Sequence, residues 1–569
     1  MLDVISPSVI FIQRQVGLIV PLLFFMLVQS AAAAPDIILY NAHILVVDEG
    51  FSEVEALAIE DGRICAIGRN FAVRALADEH TQLENLQGRT VIPGLIDNHI
   101  HAIRAAQRWR YEVRLDGVTE YDKALELIAD KARSMAPGEW IVVNGGFVEH
   151  QFLDQPEGFR LTDLDKAAPD NPVYLQHLFD WGYVNSRALA LIGIDASIPG
   201  QSRRGLLLDE YQFPSGTVTL ATQQAIVAQL PVPAPDEQRA SAQLLLQDLN
   251  RQGITTVLDA GGFDTLPRYY IPFRQLAAQQ QLTVRVYYLQ QLIPWETGYG
   301  QPPDMTRLEH SGSDLGPDEY EVAWFRRIGV GEQLYLPLQD SAGRAAQSSA
   351  VVRQHFRQYA QTLAAKGVHL HLHAVNDQSI NQHLDQLIPL TENYDFRALR
   401  WTFAHADGIQ PETIQRVAEA GFNVAIQARP WLIGYRFQRQ FGEQAAQMTP
   451  MRTLTEQGLR WGLGSDGPVV ASINPFHTLD WAVNGTMVDG VKLSQQTVSR
   501  QQALIAHTRN NARLLFAENL LGSLEPGKRA DLLVLDRNYL EAPAPEIRHI
   551  HPLGTMVDGR WVYRAGELK

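Results

Sequence analysis

The middle of the chain, from residue 91 to 519, alternates short apolar strand-like runs with amphipathic helical segments. The strand-like runs include Trp140–Asn144, Thr255–Asp259, Val284–Tyr288, Val368–His373, Arg400–His405, Asn423–Gln427 and Arg460–Asp466. Helical patterns lie between them, as in Glu237–Gly253, Ser348–Gly367 and Pro411–Gly421. Strand–helix alternation of this length favours a parallel α/β architecture, and the number of residues fits a (β/α)8 TIM-type barrel.

Both ends of the chain are instead rich in short strands. Residues 34–90 contain strand-like runs such as Asp36–Tyr40 and Ala56–Glu60, separated by turn residues such as Asp61-Gly62. Residues 520–569 repeat this pattern with Ala530–Asp536 and Gly554–Tyr563. We therefore predict a small composite β-sandwich domain, built from residues 34–90 and 520–569, beside a barrel formed by residues 91–519.

The first 33 residues have the pattern of a secretory signal. Arg14 precedes the apolar run Val16–Val28, and Gln29-Ser-Ala-Ala-Ala follows it. This order predicts cleavage after Ala33 and export, with a bacterial periplasm as the destination. An uncleaved membrane anchor is the alternative, although the run is short for a bilayer span. We expect no stable membrane insertion after cleavage.

The composition of the chain argues against some classes of binding partner. The net charge of −15 over 569 residues argues against nucleic acids and anionic membrane surfaces, and leaves a small-molecule substrate as the expected partner. The sequence leaves open whether the chain forms a homo-oligomer. Cys65 is the only cysteine, so an intramolecular disulfide is impossible. Its alternating strand-like context predicts a buried structural thiol.

Four strand-like runs end in residues that can bind a metal ion. In Val91-Ile-Pro-Gly-Leu-Ile-Asp-Asn-His-Ile-His101, His99 and His101 are two residues apart and so share one strand face. Three later runs end in His373, His405 and Asp466. Since strand C-termini converge on one mouth of a barrel, these side chains predict a site for one or two divalent ions, with zinc as the expected metal. His369 and His371 are expected to pack or to support the ligands.

These motifs resemble those of the amidohydrolase superfamily, and of its family 3 branch in particular, which includes N-substituted formamide deformylases. The resemblance rests on the His-x-His opening, on Val184–Leu189, on His373–Asp377, on Gly464-Ser-Asp-Gly-Pro468 and on Gly522-Ser-Leu-Glu-Pro-Gly-Lys-Arg-Ala-Asp531. It extends from about residue 36 to the C-terminus. The resemblance implies a metal-bearing (β/α)8 barrel with a composite β domain.

The chain departs from this branch at a strand-end lysine, which is often carboxylated in relatives and then bridges two metal ions. Arg326 of Phe325–Glu332 stands where the lysine is expected, and a guanidinium can neither form a carbamate nor bind a metal ion. Glu332 lies close by and offers the same anionic oxygen donors. We predict that Glu332 replaces the carbamate. A mononuclear site and a surface glutamate are the alternatives.

A second departure is at Asp180, where relatives tend to place a histidine that faces the substrate. An acidic group there predicts a changed substrate preference, and the neighbouring Trp181 is a candidate for an apolar pocket wall. The alternatives are a solvated loop carboxylate at Asp180 and core packing for Trp181. The same two alternatives, a pocket wall or core packing, apply to Trp109, Tyr111, Trp431 and Tyr435.

The resemblance implies a metal-dependent amidohydrolase that cleaves a C–N bond in an amide, formamide or cyclic amide, and the N-terminal pattern predicts that it is exported. His99, His101, His373 and His405 would hold the metal, and Asp466 would act as general base and acid while also touching the metal. An ester hydrolase or ring deaminase of the same fold shares every ligand. An exported binding protein that has lost turnover is the non-enzymatic alternative.

Overall fold

The structure is a computed structural model. It describes residues 34–568, except for 202, 263–264, 296–300, 311–323, 342–343 and 347. The predicted signal, residues 1–33, lies outside the described residues. Within the described residues, no helix combines the length and apolar character that crossing a membrane requires.

Eight parallel strands form the central sheet, and this confirms the predicted barrel. In spatial order they follow the chain from β1 to β8. Their bounds are β1 Leu95–Ile100, β2 Ile254–Asp259, β3 Arg285–Gln290, β4 Phe325–Glu332, β5 His369–Ala374, β6 Thr402–His405, β7 Asn423–Gln427 and β8 Trp461–Gly464. The first and last strands meet just beyond β8, where the Asp466 amide donates to the His99 carbonyl at 2.8 Å and the His101 amide to the Gly467 carbonyl at 2.9 Å.

The barrel strands are buried on both faces because side chains fill the interior and helices cover the outside. All six residues of β1 are buried, which is typical of parallel strands between two layers. The helices of the outer layer are Pro235–Arg251, Ile271–Ala278, Ala350–Ala365, Asp377–Leu387, Pro411–Glu419, Met451–Glu456, Arg500–His507 and Arg509–Leu514. Because the eight strands are parallel, their C-terminal ends lie at the same mouth of the barrel.

A separate five-stranded sheet is inserted between β1 and β2, and the sequence did not predict it. Its order is Leu206–Leu208, Pro214–Thr219, Trp181–Val184, Val173–His177 and Ile141–Asn144. The helices Tyr121–Ser134, Leu161–Ala167, Ser186–Ala190 and Leu220–Val227 accompany it. The run at Trp140–Asn144 therefore belongs to this inserted sheet and not to the barrel.

The two ends of the chain form two further sheets. A six-stranded sheet joins both ends, in the order Arg560–Arg564, Pro552–Val557, Leu532–Leu535, Thr90–Pro93, His43–Leu45 and Glu53–Val54. A four-stranded sheet has the order Arg63–Gly68, Ala56–Glu60, Ile37–Tyr40 and Gln82–Asn85. Leu39, Ile59, Val91, Val534 and Met556 belong to the apolar core that the two sheets share.

Cys65 is exposed, so the prediction that this thiol is buried is wrong. It lies on Arg63–Gly68, which is an edge strand of the four-stranded sheet. Its neighbour Ile64 is the residue of this strand that enters the core. Because alternate side chains on a strand point to opposite faces, burial of Ile64 directs Cys65 outward.

A buried ion pair connects the β-sandwich to the barrel. Nη2 of Arg285, the first residue of β3, lies 2.9 Å from Oδ1 of Asp531, and both side chains are about 95% buried, with exposed fractions of 4% and 5%. The same Oδ1 accepts the Asp558 amide at 2.8 Å. Asp531 closes the Gly522–Asp531 motif, so this part of the motif has a structural role at the junction.

We expect Arg285→Met to lower the free energy of unfolding by about 3–5 kcal/mol, because it leaves Asp531 buried without its counter-charge. Urea denaturation followed by circular dichroism measures the change. Arg529→Met is the matched control, because the pair between Arg529 and Asp558 is partly exposed (28% and 18%) and should contribute only about 0–1 kcal/mol. Equal effects of the two substitutions would contradict a special role for the junction.

Candidate metal centre

Six side chains converge at the C-terminal mouth of the barrel. His99 lies near the end of β1 and His101 directly follows it. Glu332 ends β4, and His405 ends β6. His373 is the penultimate residue of β5, and Asp466 follows β8 by two residues. Five of the six are buried and His373 is nearly so. The structure thus brings together every residue that the sequence proposed as a ligand.

The Glu332 carboxylate lies at the centre of the group. Its Oε2 atom is 3.2 Å from Nδ1 of His373 and 3.2 Å from Nε2 of His405. The same oxygen is 3.5 Å from Nε2 of His99. Its Oε1 atom is 3.8 Å from Nε2 of His101. One carboxylate is therefore within reach of all four imidazoles, which is the arrangement expected of a bridging ligand.

Asp466 lies on another side of the same histidines. Its Oδ1 atom is 3.1 Å from Nε2 of His101 and 3.7 Å from Nε2 of His99. Its Oδ2 atom is 3.8 Å from Nδ1 of His405 and 3.7 Å from Nη1 of Arg429. Asp466 therefore contacts both the ligand cluster and a cation outside it.

In three of the histidines, one ring nitrogen faces Glu332 or Asp466 and the other contacts a group that orients the ring. Nδ1 of His101 donates to the Gly261 carbonyl at 2.8 Å, so Nε2 is the ring nitrogen that faces the carboxylates. Nδ1 of His99 lies 3.0 Å from Nε2 of His371. Nε2 of His373 is 3.2 Å from the Asp340 carbonyl. Such partners set the tautomer and ring angle of metal-binding histidines.

The electrostatics of the site follow from its burial and its charges. Burial lowers the pKa of His371 to about 3, so this ring stays neutral and can accept a hydrogen bond from His99. Burial also acts on His373, but its hydrogen bonds to Asp340 and Glu332 outweigh this effect and raise its pKa to about 10. Burial would raise the pKa of Glu332, yet the bonds to His373 and His405 hold it well below its usual range.

The donor set fits a divalent metal ion. Three overlapping groups each place three ligand atoms within 4.8 Å of one another: His99, His101 and Glu332; His99, His405 and Asp466; and Glu332, His373 and His405. Nε2 of His99 is buried and has no hydrogen-bond partner among the described residues. A buried polar atom without a partner is costly, and a metal ion would satisfy it.

Arg326 does not lie at the C-terminal end of its strand, which is where the resemblance would place the lysine. It is the second residue of β4, and its guanidinium lies over the Tyr287 ring at 5.3 Å. Six residues of extended strand place it about 20 Å from the Glu332 end. Glu332, and not Arg326, is therefore the β4 residue at the mouth.

Asp180 and Trp181 lie beside the centre and not in its cavity. A cavity of about 440 Å³ opens on His101, Glu332, His373, His405 and Asp466, and the residue of this segment that lines it is Phe179. Asp180 and Trp181 line a neighbouring cavity of about 520 Å³ with Tyr435 and Arg436. A direct substrate contact of Asp180 or Trp181 stays a prediction.

Most of the other aromatic candidates pack in the interior. Trp109, Tyr111 and Trp431 have exposed fractions of 3%, 7% and 2%, so packing is the role that the structure shows for them. Tyr435 lines the neighbouring cavity instead.

Two residues near the ligands were missed by the sequence analysis. Asp340 accepts the amides of Val375 and Asn376 at 3.0 and 2.8 Å, and its Oδ1 is 3.3 Å from Nε2 of His373. It lies in a loop and has no motif that could reveal it. Arg429 pairs with buried Asp407 and faces Asp466. It follows β7 by two residues, so the strand-end rule could have identified it.

The fold agrees with that of solved structures. An uncharacterised metal-dependent hydrolase from Pyrococcus horikoshii OT3 superposes with a TM-score of 0.62, at 18% identity, over 90% of this chain and 99% of that one. The barrel and its buried imidazole–carboxylate centre fit the class of metal-dependent hydrolases.

The chain belongs to the amidohydrolase family, whose sequence model matches residues 82–563. Among its relatives, the N-substituted formamide deformylase of Arthrobacter pascens is 26% identical, over 92% of this chain and 97% of that protein. The protein LONG AFTER FAR-RED 3 of Arabidopsis thaliana is 24% identical, over 94% and 93%.

We expect the centre to hold two ions per chain and Glu332→Gln to lower this content toward one, because the amide is a poor bridging ligand. Elemental analysis of the purified protein measures the stoichiometry. Glu149→Gln is the matched control, since Glu149 is a buried carboxylate that bonds Tyr183 at 2.6 Å outside the ligand groups. An unchanged metal content in Glu332→Gln would contradict a bridging role.

Proposed function

We propose that this protein is an exported, zinc-dependent amidohydrolase that cleaves the C–N bond of a small amide, formamide or cyclic amide. The observation that carries the proposal is the position of Asp466 Oδ1, 3.1 Å from Nε2 of His101 at the wall of the open cavity. A binding protein has no need of a proton-accepting carboxylate there. The family and the formamide deformylase relative support the bond type.

We propose a centre of two metal ions. His99, His101, Glu332 and Asp466 would hold one ion. Glu332, His373 and His405 would hold the other. When bound, such ions lower the pKa of a water molecule from about 16 to about 7 and polarise a carbonyl. Zinc is the proposed metal because imidazole and carboxylate donors suit it.

Asp466 would perform the proton transfers. Burial would raise its pKa, but the hydrogen bond to His101 and the charges of His405 and Arg429 lower it, so the carboxylate is ionised and able to accept a proton. We propose that Asp466 takes a proton from the attacking water and delivers it to the leaving nitrogen. Arg429, 3.7 Å from Oδ2, would hold the carboxylate in place.

Export is proposed on the N-terminal sequence alone. Arg14, the apolar run Val16–Val28 and the small residues before Pro35 are the pattern of a cleaved signal. The substrate would then be a small molecule met outside the cytoplasm.

We expect Asp466→Asn to lower kcat by about 10²–10⁴-fold, because the amide cannot accept the proton, while the metal stays largely bound to the other five ligands. Steady-state kinetics and elemental analysis of the same preparation measure the two effects. Asp195→Asn, which changes a carboxylate on a distant loop, should leave both unchanged. Full turnover by Asp466→Asn would overturn the mechanism.

A substrate panel with metal removal tests the function itself. Hydrolysis of N-formyl, N-acyl or cyclic amides should be lost after dialysis against a chelator and restored by zinc, with product amine as the readout. Turnover of esters or ring amines alone would favour the other hydrolases of this fold. No turnover of any class by the metal-loaded protein would favour a binding protein.

A further inference from the structure

The turn Leu178–Asp180 brings the inserted sheet to the mouth of the barrel. It joins the antiparallel strands Val173–His177 and Trp181–Val184, in which His177 pairs with Trp181. The Asp180 amide donates to the His177 carbonyl at 3.1 Å and closes the turn. Leu178, Phe179 and Asp180 lie in three different environments. Leu178 and Asp180 hold the turn in place.

Leu178 anchors the turn to the barrel core. Its exposed fraction is 2%, and it belongs to the hydrophobic cluster that contains Ile103 and Val148. Its carbonyl accepts the Gln176 side-chain amide at 2.6 Å. Moving the turn away from the barrel would expose Leu178.

Asp180 anchors the turn on the other side. Its carboxylate pairs with Arg436 of the helix Arg429–Phe441, which follows β7. Nε of Arg436 donates to the Tyr435 hydroxyl at 3.2 Å. The Tyr435 ring stacks on His150, with centroids 4.4 Å apart. The inserted sheet is thus tied to the barrel by an ion pair and by a ring stack.

Phe179, between these two anchors, lines the cavity of the metal centre. Its exposed fraction is 62%, although a phenylalanine side chain is stabilised by burial. Leu336, Val469 and Val470 line the same cavity. An exposed aromatic ring in a cavity with apolar neighbours is the usual form of a contact surface for an apolar ligand group.

We propose that Phe179 is a specificity-determining residue that binds an apolar group, aromatic or branched, carried by the substrate next to its scissile C–N bond. This inference rests on the proposed amide hydrolysis. Asp180 is a positioning residue that acts through Arg436. Asp180 holds the turn, and Phe179 meets the substrate.

The experiment compares N-(2-phenylethyl)formamide with N-methylformamide. The wild-type zinc enzyme should prefer the first in kcat/KM, and Phe179→Ala should lower this preference about 10-fold, through an increase in KM for the bulky compound. The kcat/KM for the small compound should fall by a smaller factor, because N-methylformamide lacks the apolar group that Phe179 would contact. Phe71→Ala is the matched control, because Phe71 is 76% exposed on a helix of the β-sandwich. A preference unchanged in Phe179→Ala overturns the proposal.

Charge reversal tests the positioning role. Asp180→Arg and Arg436→Asp should each lower the preference for the bulky formamide about threefold or more, and the double variant should restore at least half of it. Single variants that keep the wild-type preference overturn the role of the pair. A wild-type enzyme that hydrolyses neither formamide, nor any compound of the wider panel, overturns the proposed function. Turnover without any dependence on Phe179 overturns this inference alone.

Discussion

The structure depends on one buried carboxylate, Glu332, placed within reach of four imidazoles at the barrel mouth. An ionised carboxylate out of water is costly unless it is paired and hydrogen-bonded. His373 and His405, both 3.2 Å away, supply those partners in the absence of a metal. The parallel barrel makes the arrangement available, because each strand delivers its last residues to the same end.

The ligands are oriented by groups that belong to the barrel itself. The Gly261 carbonyl follows β2 and fixes the ring of His101. His371 lies two residues before His373 on β5 and supports His99 on β1. Because these contacts run between neighbouring and facing strands, the geometry of the centre is coupled to the packing of the barrel. A substitution far from the centre can therefore change the angle of one of its histidine rings.

The β-sandwich and the inserted sheet contact the barrel at different ends. The β-sandwich joins near the start of β3 through Arg285 and Asp531, away from the mouth. The inserted sheet reaches the mouth itself, where its turn presents Phe179 to the cavity. The buried ion pair and the proposed contact with substrate therefore lie in separate parts of the chain.

The sequence by itself determined the barrel, the composite sandwich and the six candidate ligands. The alternation of strand-like and helical segments is visible in the sequence. The two-residue spacing of His99 and His101 places both side chains on one face of a strand. The sequence also identified Glu332 as a candidate ligand. It did not reveal that β4 extends to Glu332, and this length places Glu332 at the mouth and Arg326 near the other end of the strand. Only the tertiary structure decided that Asp180 turns toward Arg436, that Phe179 enters the cavity, and that Cys65 faces outward. Each of these depends on which distant segment packs against the residue, and a local pattern carries no information about that neighbour.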